Sequence, residues 1–131
     1  MDTSALVEVF LMRRNHEVLT DVIDLADAAA LSVVSRVELT AVLCGHRFGL
    51  SADNVASFLD GLHLEHIPVS LGQMDLAVAA LITFGKGRHP AGLNLGDCFS
   101  YALAKELGAN LLFVGDDFSK TDIGPAWRPS A

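Results

Sequence analysis

Cations and aromatic rings are scarce in this chain, and cysteine is scarcer. Nine Lys+Arg stand against 16 Asp+Glu, a formal charge of −7 with a pI near 5.0 over 131 residues. Without clustered cations a protein is poorly suited to coat nucleic acid passively, because phosphate binding rests on Lys and Arg. Aromatic residues make up 7% of the chain, too few for an extended base-stacking surface. Trp127 and Phe10 therefore read as core or interface packing. The two cysteines, Cys44 and Cys98, fall in helical patterns and are too few for a disulfide framework. Both are expected as buried, reduced thiols of a cytoplasmic protein. No apolar run approaches the ~18–20 residues of a membrane span, and the amino end lacks the basic-then-apolar order of a secretory signal. The expectation is a soluble cytoplasmic domain with no membrane partner.

Several chemistries are missing as well. His16, His46, His63, His66 and His89 show no zinc-ligand spacing with cysteine. Ser4, Ser35 and Ser100 lack the setting of a nucleophile elbow. No glycine-rich loop follows a strand with P-loop spacing. These gaps speak against a structural zinc site, serine hydrolysis and nucleotide hydrolysis.

What is present is enough apolar material for a core, 51% of residues, in one domain spanning 1–131. Helical spacing marks segments around Val18–Ala26, Val37–Leu43, Val55–Leu62, Leu76–Ile82 and Asn94–Leu107. Leu76–Ile82 is apolar almost all round, which predicts burial on more than one side. Short apolar runs at Leu31–Val34, His66–Val69 and Leu111–Val114 read as strands covered on both faces. Such runs interleaved with helices predict an α/β fold with a mostly parallel sheet. One strand is conspicuously short of residues. Asp2–Val7 reads as a strand-to-helix junction, yet only Met1 precedes it, so the first strand is expected to be truncated and a few apolar residues to be encoded upstream.

In an open α/β sheet the ligand site lies beyond the carboxyl ends of the strands. Asp2, Glu38, Asp97 and Asp116 or Asp117 all fall at that edge, each from a different segment. Singly, each has a plainer role as a helix cap, a turn residue or a solvated helix position. Converging carboxylates, however, repel one another unless a cation joins them. A hard divalent ion such as Mg²⁺ or Mn²⁺ takes oxygen ligands, keeps several waters and can activate water at a phosphodiester.

The segments Asp2-Thr3-Ser4-Ala5-Leu6, Val37-Glu38-Leu39, Gly96-Asp97-Cys98 and Gly115-Asp116-Asp117-Phe118 resemble the motif set of the PIN-domain ribonucleases. More narrowly they resemble the VapC toxins of bacterial toxin–antitoxin pairs. The loop from Gly85 to Asn94 resembles that of one VapC subgroup. The resemblance spans nearly the whole chain. It implies a flavodoxin-like, three-layer sandwich around a mostly parallel sheet and Mg²⁺-dependent endonucleolytic RNA cleavage, with Mn²⁺ able to substitute. It also implies inhibition by a cognate VapB-type antitoxin and a homodimer. Carried over by position, Asp2, Glu38 and Asp97 match the three best-defined acidic positions. Asp116 is taken as the fourth, with Asp117 as the alternate. Ser4 is placed to support a metal ligand or water. The departure is the family's first strand, represented here by Met1 alone.

Lys86, Arg88 and His89 form the compact basic cluster, just before the Asp97 helix. Lys86 and Arg88 are expected either to contact RNA phosphate or to remain as a solvated loop. The apolar stretch Leu6–Met12 is expected either to pack on the sheet or to receive an antitoxin segment or second protomer. Two alternatives to a nuclease stand beside it: a catalytically degenerate PIN-like domain, and a receiver-like interaction module. The receiver-like reading needs a lysine after a late strand, where this chain has Gly115-Asp116-Asp117.

Overall fold

The computed structural model describes residues 1–130. Its helices are α1 (Thr3–Phe10), α2 (His16–Leu25), α3 (Val33–Leu43), α4 (Ala52–Gly61), α5 (Leu71–Phe84) and α6 (Leu95–Leu107), with a 3-10 turn at Phe118–Lys120. Strands β1 (Ala30–Ser32) and β2 (Glu65–Ile67) pair in parallel, Ala30 opposite Glu65 and Ser32 opposite Ile67. Leu111 forms a parallel bridge with Pro125. Its amide donates to the Gly124 carbonyl and its own carbonyl accepts the Ala126 amide, each at 2.9 Å.

The strands are shorter than the apolar runs that announce them. The run from Leu31 ends as a strand at Ser32, whose hydroxyl accepts the Val34 amide at 3.2 Å and caps α3. Val33 and Val34 therefore belong to the helix. The second run stops at Ile67, where Pro68 has no amide to continue a ladder.

Burial shows why Leu111–Val114 does not alternate in polarity, whereas His66–Val69, expected to be covered on both faces, is nowhere fully buried. Leu111 and Phe113 pack into a cluster with Tyr101, Ala102 and Ala104 of α6. Leu112 and Val114 pack the other way, with Ala5 and Val9 of α1 and Leu19 and Ile23 of α2. Successive side chains point to opposite faces, and each face meets a helical layer. A third cluster joins Leu6 and Val7 of α1 to Leu31, to Leu39 and Leu43 of α3, and to Val55 and Leu59 of α4. The Leu6–Met12 stretch is thus largely core. Met12 alone stands well out of it, 72% exposed. Phe10 meets Phe58 edge-on with ring centroids 4.7 Å apart, and Trp127 packs beside Leu112 and Val114.

The reading of Leu76–Ile82 is overturned. α5 buries only the face carrying Gln73, Ala77 and Ala80, which packs on α6. Leu71, Met74, Val78, Leu81 and Ile82 remain exposed. The all-round apolar pattern is real, but this chain covers one side of it.

At the amino end, two residues do the work of a strand. The Met1 α-ammonium donates to the Ala30 carbonyl at 2.7 Å, and the Asp2 amide donates to the Leu112 carbonyl at 2.9 Å. Met1 and Asp2 therefore lie between β1 and the Leu111–Val114 run. Burial pushes the Met1 ammonium down to about 6, against the pull of the Asp2 carboxylate.

Candidate active site

Four separate segments deliver carboxylates to one cleft of about 420 Å³, lined by Asp2, Glu38, Asp97 and Asp117. Asp2 is the N-cap of α1, and its Oδ2 accepts the Ser4 amide at 2.9 Å. Its Oδ1 accepts the Ser100 hydroxyl at 2.7 Å, and Ser100 Oγ lies 3.2 Å from Ser35 Oγ. A buried polar group is costly without such partners. Each oxygen keeps a further lone pair for a ligand.

Asp97 stands at the third position of α6 in a capping box. Asn94 Oδ1 accepts the Asp97 amide at 2.9 Å, while Asp97 Oδ2 accepts the Asn94 amide at 3.0 Å. The capping reading of Asp2 and Asp97 and their place in the cleft are therefore the same fact. The cap fixes the carboxylate where the cleft needs it. Burial pushes the Asp97 carboxyl up to about 7, the Asn94 amide opposes this, and the charges of Asp2, Glu38 and Asp117 push it higher. The adjacent Cys98 thiol is pushed up to about 11, by burial first and Asp97 second. It is an inert core thiol.

Glu38 reaches the cleft from α3, against Gly96. A Cβ built on Gly96 would collide with the Glu38 carboxylate. Glycine at this position is what lets α3 and α6 bring Glu38 to the first turn of α6. Ser4 ties the site to the Leu111–Val114 run, its Oγ accepting the Val114 amide at 3.1 Å. Gly115 turns the chain with φ of 104°, and after it Asp117 lines the cleft. Asp116 is not among the lining residues; its carbonyl accepts the Ser119 hydroxyl at 2.6 Å. Among the described residues no three His, Cys, Asp or Glu side chains close to metal-ligand spacing. The carboxylates line an open cleft rather than cage a point inside it.

The donor set is all oxygen, and burial first, with the neighbouring carboxylates second, raises the Asp97 carboxyl to about 7. Both features suit a hard divalent cation, which uses one or two carboxylates and keeps its remaining waters.

A family model for the PIN domain matches residues 1–124. The chain belongs to the PIN-domain family. Among curated relatives it is 40% identical to ribonuclease VapC30 of Mycobacterium tuberculosis over 130 residues, 98% of each chain. It is 40% identical to a ribonuclease VapC of Mycolicibacterium smegmatis over 124 residues, 94% of this chain and 95% of that one. Ribonuclease VapC42 of M. tuberculosis is 37% identical over 127 residues, 96% of this chain and 97% of the other. This PIN domain is thus a VapC-type one along its whole length.

Some of this PIN domain's cleft residues escape a reading of the sequence. Ser100 supports the cleft from outside its lining, through the hydroxyl that holds Asp2; its signal is the three-residue step from Asp97, which places both on one face of α6. Arg13 also lines the cleft, although the Arg13-Arg14 pair reads as a solvated helix end. Glu8 is a third, held by Asn15 through its backbone and side-chain amides at 3.2 and 3.0 Å. Lys86 and Arg88 lie on the loop between α5 and α6, outside the cleft lining. Their neighbour His89 is a loop brace, its Nδ1 3.0 Å from the Ala91 amide and its ring edge-on to Phe84.

Proposed function

We propose that this VapC-type PIN domain is a metal-dependent endoribonuclease, the toxin of a toxin–antitoxin pair acting in the cytoplasm. The observation that carries the reading is the convergence of Asp2, Glu38, Asp97 and Asp117 on one cleft, in a chain whose relatives are named VapC ribonucleases. Asp2 and Asp97 are the principal holders of Mg²⁺, or of Mn²⁺ in its place. Glu38 and Asp117 act directly or through the ion's waters. Asp117 takes the fourth acidic place because it, and not Asp116, borders the cleft.

When bound, the ion supplies Lewis-acid activation of water and neutralises charge on the phosphodiester. The chain's own residues do the rest. Ser100 and the Ser4 amide fix the Asp2 carboxylate. The α6 cap fixes Asp97, and Gly96 admits Glu38. Arg13 is the cation at the cleft wall for the RNA backbone. Lys86 and Arg88 serve as outlying phosphate contacts along the α5–α6 loop.

Two partners complete the reading. A second copy pairs through α5, whose exposed Leu71, Met74, Val78 and Leu81 recur at the spacing of a helix-packing stripe. An isologous contact between two such stripes gives a twofold homodimer. A VapB-type antitoxin closes the cleft. Apolar residues next in sequence to the lining residues Arg13, Glu38 and Asn94, namely Met12, Val37 and Leu95, are 72%, 70% and 65% exposed and offer it a seat. A basic side chain from the antitoxin then pairs with the carboxylates.

The test is cleavage of labelled RNA by the purified protein with Mn²⁺ or with EDTA, beside Asp97→Asn. The amide keeps the shape of the carboxylate and removes its charge. Loss of cleavage in EDTA and in Asp97→Asn, with the variant still folded, is the expected result. Parental rates in either case overturn the reading.

A further inference from the structure

The turn between α1 and α2 departs from local preference at Met12, Asn15 and Glu8. Met12 holds φ of 51°, the left-handed region that glycine usually fills past a helix end. Its side chain is exposed, so packing does not offset the strain. Asn15 is the N-cap of α2, yet its side chain caps nothing. Its Nδ2 instead donates to Glu8 Oε1 at 3.0 Å, beside its own amide at 3.2 Å. Glu8 is buried and lines the carboxylate cleft together with Arg13, but among the described residues the two form no ion pair. What these departures secure is Arg13. Its amide donates to the Glu8 carbonyl at 3.0 Å, and its carbonyl accepts the His16 amide at 3.0 Å. With the Met12 amide on the Val9 carbonyl at 3.1 Å, this is the paired closure of a helix end, with methionine where glycine is usual. The Arg13 backbone is thus fixed on both sides. Its guanidinium stands in a cleft lined by Asp2, Glu8, Glu38, Asp97 and Asp117 and, among the described residues, pairs with none of them. Arg14, the next residue, does not line the cleft.

We propose that this turn is built to aim Arg13 at the phosphate that is cut, with Asn15 holding Glu8 away from it. Departures from local preference collect at functional sites, and here they leave a cation unpaired in a chain of net charge −7. The inference rests on the nuclease reading and deepens it, making Arg13 a catalytic residue rather than a general backbone contact. Hydrolysis joins the water oxygen to phosphorus, breaks one ester bond and passes a water proton to the departing ribose oxygen. Negative charge builds on the phosphoryl oxygens along the way. A forked guanidinium donates to two of them at once, which a lysine ammonium cannot match. Donors fixed where charge develops act on the rate more than on binding. Asn15 is then a positioning residue, because a Glu8 carboxylate released from it becomes a competing partner for Arg13.

The test is single-turnover cleavage of labelled RNA in Mn²⁺ by the parent, Arg13→Ala, Arg13→Lys and Arg14→Ala, at limiting and at saturating protein. Arg13 is exposed, so the variants are expected to melt with the parent. At saturation Arg13→Ala should lose ~10²-fold without raising the Mn²⁺ concentration for half-maximal cleavage. Arg13→Lys should regain part of that loss, and Arg14→Ala should keep the parental rate. Adding Arg13→Ala to Asp97→Asn should weaken binding of the same RNA in EDTA far less than it slows cleavage. Asn15→Ala should also slow cleavage, and Glu8→Gln added to it should restore the rate. EDTA-sensitive cleavage by the parent with an undiminished rate in Arg13→Ala overturns this inference alone, whereas a parent indifferent to EDTA overturns the nuclease reading and the inference with it. A loss confined to limiting protein, a loss matched by Arg14→Ala, or an Asn15→Ala defect that Glu8→Gln leaves in place overturns it as well.

Discussion

Two cavities of nearly equal size, about 420 and about 400 Å³, meet at Met1 and Asp2, and they are built on opposite terms. In the carboxylate cleft, Asp2 and Asp97 are held by named donors, Ser100 and the amides of Ser4 and Asn94. What is uncompensated there is charge. The second cavity is walled by apolar side chains, among them Val22, Ile23, Leu103 and Leu107, and among the described residues no cluster of charge stands in it. Asp2 lies between the two: its carboxylate lines the cleft while its amide donates to the Leu112 carbonyl, so that backbone bond helps to position a cleft carboxylate.

The strongest way to break the cleft side of this contrast is at Gly96. An alanine there drives its Cβ into the Glu38 carboxylate, so either Glu38 swings out or α3 and α6 part. A displacement on the order of 1 Å at a positioned group costs ~10²-fold in rate, and overpacking costs about 1–3 kcal/mol of stability. We expect Gly96→Ala to lose ~10²-fold in RNA cleavage, measured as single-turnover decay of a labelled substrate, with a modest drop in melting temperature. Parental activity in this variant removes Glu38 from the machinery.

A smaller effect is expected at Ser100. Ser100→Ala leaves Asp2 Oδ1 without its donor at a buried position, which costs about 1–3 kcal/mol. Hydrogen-bond partners that orient metal ligands are worth ~10–100-fold in metal affinity or activity. A rise of ~10-fold in the Mn²⁺ concentration for half-maximal cleavage is the expected signature. A fall in maximal rate with unchanged metal response instead assigns Ser100 to packing.

Much of the carboxylate cleft is legible in the sequence. Asp2 and Asp97 announce themselves because helix starts are local events, written in caps and the first apolar residues after them; Glu38 stands one turn further into its helix, α3. Asp116 against Asp117 was not resolvable that way. The left-handed turn at Gly115 breaks the alternation that would otherwise assign each side chain a face, so adjacency in sequence says nothing about which aspartate turns inward. Arg13 and Ser100 were missed for a related reason: their roles depend on which segment lies across from them. α5 misled in the opposite sense. An apolar pattern reports that a helix is to be covered, not which molecule covers it, and in this chain α6 reaches only the Gln73–Ala77–Ala80 face. The strand boundaries moved because a single serine hydroxyl at Ser32 starts a helix inside an apolar run.

The smallest expected effect is a pH slope that separates the two cavities' contributions. With metal removed, the Asp97 carboxyl titrates near 7 in the folded protein, raised from its usual 3.8 chiefly by burial. Between those values the folded state holds a proton that the unfolded chain releases, so this group lowers stability as pH climbs from about 4 to about 7. The Met1 ammonium works the other way. Its folded value of about 6 lies below its usual 8.0, so between these values the unfolded chain holds the extra proton and stability rises with pH. The two slopes overlap and partly cancel in the parent protein. Asp97→Asn removes only the first. In EDTA, the melting temperature of Asp97→Asn minus that of the parent should therefore widen from pH 4.5 to pH 7.5 by a few degrees. Saturating Mn²⁺ should close the gap by stabilising the parent. A difference that stays flat across that range in EDTA shows that Asp97 is not desolvated as the cleft requires.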